Sequence, residues 1–179
     1  ALLCMVANMK IDLFVDLTCP FCYVSKLVLE DLKDKYNLEI NYHVIRINKD
    51  VLEKELLLER YPQSVSIIPK LNNMIKDYNK EMNYKYKVNS LNPTMLYYNV
   101  YSENKLEAYK LLSELNEDYF TKNIDISDPI YINNRAKEYN LEFVDMDMDN
   151  QLYATEKLAS QLGVSGTPFM IIDNQHKIS

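Results

Sequence analysis

The sequence predicts an α/β domain interrupted by a large helical insertion. Three observations carry that prediction: a strand–helix–strand opening over residues 9–48, a block of helical patterns over residues 49–159, and a return to strand character after residue 160. The first and last segments then form one discontinuous domain around the middle one.

The opening strand is Ile11 to Asp16, an apolar run bounded by Thr18-Cys19-Pro20. Pro20 suits a first helical position, where its missing N–H removes nothing, and Val24, Leu27, Val28, Leu32 and Tyr36 recur at helical spacing. Ser25, Lys26, Glu30, Lys33 and Asp34 fall on the opposite, solvent face of that helix. A second strand follows across Leu38 to Ile47, with Leu38, Ile40, Tyr42 and Val44 alternating against Glu39, Asn41 and His43. Strand, helix and strand together make a βαβ unit and a parallel pair.

From Lys49 to about Leu162 the alternation disappears, with punctuation at Pro62, Pro69, Pro93 and Pro129. Asn92 before Pro93 and Asp128 before Pro129 each read as an N-cap followed by proline at the first helical position. The last helix, near Gln151 to Leu162, ends at Gly163, and Phe169 to Asp173 is strand-like. The chain has two glycines where average usage of about 7% predicts roughly 12. Gly163 and Gly166 frame a turn whose dihedrals would call for them.

Composition bounds the function. At 179 residues, 47% hydrophobic and 26% charged, the chain can bury a core and is not disordered throughout. Twenty Lys and Arg stand against 26 Asp and Glu, a net charge of −6 that disfavours nucleic acid. The longest apolar stretch, Ala1 to Met9, is far short of the roughly 20 residues that span a bilayer, and it lacks the pattern of a secretory signal. Met9 reads as a natural start, with residues 1–8 upstream of it, so a cytoplasmic address is expected, with no membrane partner.

Cys4 stands alone, whereas Cys19 and Cys22 form a C-x-x-C pair between a buried strand and an amphipathic helix. Cys19 would sit at the helix N-terminus, where unsatisfied N–H groups and the helix dipole favour a thiolate. Cys22, one turn on, could resolve a mixed disulfide. Two inert buried thiols or half a zinc site are the alternatives, and metal is weakened because only Cys4, His43 and His176 remain to complete it.

These residues resemble the thioredoxin superfamily, and within it the DsbA-like branch, most closely its cytoplasmic FrnE-like oxidoreductases. Asp16-Leu-Thr-Cys19-Pro20-Phe21-Cys22-Tyr23-Val-Ser-Lys26 is similar to that branch's active-site segment. Leu162-Gly163-Val164-Ser165-Gly166-Thr167-Pro168-Phe169 is similar to its cis-proline loop. Leu91-Asn92-Pro93-Thr94, Asp118-Tyr119-Phe120 and Asn123 to Asp128 resemble landmarks of its helical insertion, so the resemblance covers about residues 9–179.

It implies a thioredoxin-like fold with a large all-helical insertion and thiol–disulfide exchange with protein or small-molecule partners. Cys19 would be the nucleophile, Cys22 the resolving thiol and Pro168 the cis residue facing them. Pro20, Phe21 and Thr167 would meet substrate. No cofactor is implied beyond the cysteine pair, with glutathione or a redox protein as co-substrate. A kappa-type glutathione transferase or a 2-hydroxychromene-2-carboxylate-type isomerase shares the fold but usually carries serine where Cys19 stands. Phe21 departs from the histidine or tryptophan common there and donates nothing to Cys19, implying a less oxidising couple than the histidine type. Only 11 residues follow Pro168, so a further strand and a packing helix are expected to be incomplete.

Other residues read more plainly. Asp16 could tune the thiols or simply end its strand. Asp145, Asp147, Asp149 and Glu156 have a calcium-loop spacing without its glycine, and capping of the following helix is the stronger reading. His43 and His176 read as exposed. Twelve of 15 tyrosines lie between Tyr61 and Tyr153, as helix core or as an adaptable surface for unfolded polypeptide.

Overall fold

The computed structural model describes residues 8–142 and 150–179. The chain opens with β1 (Met9–Val15), α1 (Pro20–Lys33) and β2 (Leu38–Val44). β3 (Glu55–Leu56), α2 (Leu57–Arg60), α3 (Pro62–Ile75), β4 (Tyr86–Lys87), α4 (Leu91–Glu103), α5 (Lys105–Phe120) and α6 (Pro129–Glu138) follow. It closes with α7 (Asn150–Gln161), β5 (Phe169–Ile172) and β6 (His176–Ile178).

The main sheet runs β2-β1-β5-β6. β1 and β2 are parallel, from Met9 beside Leu38 to Val15 beside Val44, joined by the crossover through α1. β5 lies antiparallel on the other side of β1, pairing Phe14 with Phe169, and β6 follows antiparallel as the further strand. Ile11, Leu13 and Val15 bury one sheet face with α1 and the middle helices, while Phe14, Ile45, Phe169 and Ile171 bury the other beside Ala159 of α7.

β2 is an edge strand, and unpaired edge groups are costly when buried. Helices α4 and α5 cover it with tyrosines. Tyr97 Oη donates to the Tyr42 carbonyl at 3.3 Å, Tyr98 Oη donates to the Val44 carbonyl, and Tyr109 Oη accepts from the Tyr42 N–H at 3.3 Å. These tyrosines are packing and edge-satisfying groups, which fits the core reading of the tyrosine-rich stretch and takes these three away from a polypeptide-binding surface.

Several local expectations fail for physical reasons. The middle block is not wholly helical, because Glu55 and Leu56 pair antiparallel with Lys87 and Tyr86; two-residue strands are too short to show alternation. Asn92 is not an N-cap, since α4 starts at Leu91, whose N–H donates to the Asn89 side chain at 3.0 Å. Pro69 lies inside α3 and does not end it. Tyr36 lies beyond α1 and is 54% exposed, whereas Lys26, assigned to the wet face, is only 7% exposed because α5 covers that side. His43 is half-buried, bonded to Asp12 at 2.8 Å and stacked on Phe14. Gly163 has φ +80° after α7, but Gly166 does not use the left-handed region. Asp128 does cap α6, accepting from the Ile130 and Tyr131 N–H groups.

Replacing Tyr97 with phenylalanine should lower stability by roughly 1–3 kcal/mol, because it leaves the buried Tyr42 carbonyl unmet. Urea unfolding of the full chain measures this; an unchanged midpoint would mean that the edge is satisfied in another way.

Candidate active site

The site begins with a turn. β1 ends at Val15, and the Asp16 side chain then organises the chain that follows. Asp16 Oδ1 accepts from the Thr18 N–H at 2.8 Å and from Thr18 Oγ1 at 2.9 Å, and Oδ2 accepts from the Ile47 N–H at 2.8 Å. The Cys19 N–H donates to the Asp16 carbonyl at 3.1 Å. A buried carboxylate with three donors fixes the β1–α1 turn against the segment leaving β2, so Asp16 is a structural staple whose charge also reaches Cys19.

Cys19 is the N-cap of α1, with φ −89° and ψ 115°, and its Sγ accepts from the Cys22 N–H at 3.4 Å. Pro20 occupies the first helical position, and Phe21 stands outward at 44% exposure. Cys22, one turn inside, is buried. The pair is therefore asymmetric. The Cys19 thiol is brought down to about 7, chiefly by its hydrogen bond with the Cys22 side chain, then by the Cys22 N–H and Thr167, while burial and the Asp16 charge push the other way. Burial first, then the Cys19 sulfur, pushes the Cys22 thiol well above its ordinary value.

The chain's far end completes the site. The Thr167–Pro168 peptide is cis, and Cys19 Sγ lies 3.6 Å from the Thr167 carbonyl oxygen. Thr167 and Pro168 are half-buried beside the sulfurs' helix. The structure thus brings together Asp16, Cys19, Cys22 and Thr167, with Pro20, Phe21 and Pro168 adjoining them in sequence.

Two residues were not read from the sequence. Lys87 of β4 is buried, and its Nζ donates to the Thr18 carbonyl at 3.2 Å, beneath the residue that precedes Cys19. Burial lowers its pKa, while the charges of Asp16, Cys19 and Cys22 oppose that; by the same attraction its ammonium favours thiolates. Tyr84 is buried near by, its hydroxyl held above the ordinary range by burial and by Cys19. A lysine and a tyrosine in an irregular segment carry no periodic signal that would have found them.

Among the described residues no cluster of acidic, histidine or cysteine side chains could hold a metal ion. Residues 145–149 of the calcium-like spacing lie outside the described residues, as does Cys4. Glu156 is taken by Arg46 at 2.9 Å and by Lys49 at 2.5 Å. His176 lies exposed on β6. No described helix is long and apolar enough to cross a membrane.

Comparison with known proteins agrees with this fold. The DSBA-like thioredoxin domain family matches residues 10–179, and the chain belongs to that family. No curated protein sequence is similar to it. Among solved structures, a probable DsbA oxidoreductase from Streptomyces coelicolor superposes with a TM-score of 0.82 at 17% identity, over 96% of this chain and 83% of that one. A 2-hydroxychromene-2-carboxylate isomerase gives 0.71 at 15% identity, over 94% and 87%. The cytosolic disulfide reductase DsbM from Pseudomonas aeruginosa gives 0.65 at 14% identity, over 95% and 89%, and has also been solved with GSH. These likenesses establish a DsbA-like thioredoxin fold.

Alkylation of the reduced protein by iodoacetamide should be faster at Cys19 than at Cys22, with a rate that climbs with pH through a midpoint at about 7. Replacing Lys87 with methionine should move that midpoint upward, because the ammonium no longer favours the thiolate. Peptide mapping of alkylated sites across a pH series checks both, and a midpoint unmoved in the Lys87 variant would leave the lysine a purely structural role.

Proposed function

We propose that this DSBA-like thioredoxin protein is a thiol–disulfide oxidoreductase of the FrnE-like kind, with Cys19-Pro20-Phe21-Cys22 as its active site. The supporting observation is the asymmetry of the two sulfurs, one lowered to about 7 at a helix N-terminus and the other buried and raised. In reduction, the Cys19 thiolate attacks a substrate disulfide, forming a new S–S bond and expelling one substrate thiolate. Cys22 then loses its proton, attacks Cys19 Sγ and releases the second substrate thiol. Two electrons pass to the substrate, and the Cys19–Cys22 disulfide remains. Oxidation of a dithiol is the same sequence reversed.

Thr167 and Pro168 would meet the substrate backbone beside the sulfurs, with Pro20 and the exposed Phe21 contacting its side chains. Residues 9–48 and 160–179 act as the thioredoxin-like unit, and residues 49–159 as the insertion that walls the site. Protein or small-molecule disulfides are the substrates, with glutathione or a redox protein regenerating the pair. A cytoplasmic setting, like that of the cytosolic disulfide reductase named above, belongs to this reading. A glutathione-dependent transferase or isomerase on the same fold would need only one polar group at position 19, and it leaves Cys22 without a task.

Cys19→Ser should abolish turnover of oxidised glutathione and of a peptide disulfide. Cys22→Ser should instead retain attack and stall as a stoichiometric mixed disulfide, visible by mass spectrometry. If the Cys22 variant forms no adduct, or if Cys19→Ser retains turnover, the division of labour between the sulfurs is wrong.

A further inference from the structure

Lys26 lies one turn beyond Cys22 on α1, and its burial is chemically unusual. Its Nζ donates to Ser113 Oγ and stands 5.4 Å from the centre of the Tyr42 ring, but it takes part in no ion pair among the described residues. Buried ammonium groups are normally paired, because desolvating a charge is costly. The nearby carboxylates are engaged elsewhere. Glu30 accepts from Tyr42 Oη at 2.5 Å, and Glu117 accepts from Tyr23 Oη at 3.0 Å and Lys80 at 2.9 Å. Burial accordingly pushes the Lys26 pKa down, with Glu30 only partly opposing.

Lys26 borders a groove of 490 Å³ between α1 and α5. That volume is in the range of small-molecule sites, roughly 300–1,000 Å³. Four lysines, Lys26, Lys33, Lys80 and Lys110, line it against two glutamates, a local basic excess in a chain of net charge −6. Leu27 and Tyr109 add apolar wall. Cys19, Cys22, Thr167 and Pro168 do not line it, so the groove is separate from the thiol site.

We propose that the α1–α5 groove binds a small anion carrying a carboxylate or phosphoryl group, with Lys26 at its floor and Lys33, Lys80 and Lys110 at its rim. The anion would accept from the Lys26 N–H groups that Ser113 does not satisfy and would supply the missing countercharge. Charge-assisted hydrogen bonds of this kind are stronger than neutral ones. The site stands independently of the redox reading, since neither sulfur takes part.

The test is titration calorimetry and thermal unfolding of the full chain with sodium pyrophosphate and, separately, sodium succinate, each at an ionic strength matched by sodium chloride. Saturable binding of either probe, with a raised unfolding midpoint, is expected, and which probe binds identifies the phosphoryl or the carboxylate class. Lys26→Met should weaken that binding by roughly tenfold or more, leaving the rate of Cys19 alkylation unchanged. Lys33→Ala and Lys110→Ala, at exposed rim positions, should weaken it severalfold and carry the test should the Lys26 variant not fold. Binding of neither probe beyond chloride, or equal affinity in parent and lysine variants, would overturn the proposal.

Discussion

The Asp16 carboxylate is the constraint on which the rest of the site depends. It accepts from both groups of Thr18 on one side and from the Ile47 N–H on the other, so it ties the start of α1 to the chain leaving β2. That tie fixes the β1–α1 turn against the sheet side of the molecule. With it, Cys19 is set as N-cap, and the Cys22 N–H of α1 donates to its sulfur. The same carboxylate works against the thiolate electrostatically, so the staple carries a cost at Cys19 that the helix end and Cys22 must exceed. The lowered Cys19 pKa means that they do.

That balance explains why two chemically identical side chains three residues apart behave differently. Cys19 sits where the helix has donors to spare, whereas Cys22 lies inside the first turn, buried beneath it. The proton is therefore held more tightly on Cys22 than on Cys19. In the exchange proposed above, this order of acidity would set Cys19 to act before Cys22.

Much of this was legible in the sequence, because the signals were local or periodic. β1, α1 and β2 were readable from the apolar runs and Pro20, and the cysteine pair from its spacing at a strand–helix junction. What was not legible depends on which element covers which face. The 3.6-residue period places Lys26 opposite Leu27 and Val28, yet α5 arrives from outside and buries it. His43 alternates to the polar side of β2, but that side faces Phe14 and Asp12 rather than water. The cap of α4 was assigned to Asn92 because proline usually follows a cap, whereas the Asn89 side chain reaches Leu91 first and moves the start upstream. Lys87 was invisible because a two-residue strand has no period.

Lys87 also shows how the middle of the chain bears on the thiols. Its Nζ reaches the Thr18 carbonyl from β4, and Asn116 of α5 donates to the Leu17 carbonyl at 3.3 Å. Both contacts end on the turn that Asp16 closes from the sheet side. Tyr23, directly after Cys22, stacks on Phe120 at the end of α5 with ring centroids 5.1 Å apart. The turn is thus held from two directions, by the sheet through Asp16 and by the helical block through Lys87, Asn116 and Phe120. Residues of that block thereby place a positive charge and a hydrogen bond at the base of α1, beside the cysteine pair. The middle of the chain is in this sense part of the electrostatic environment of the cysteine pair, through the charge of Lys87.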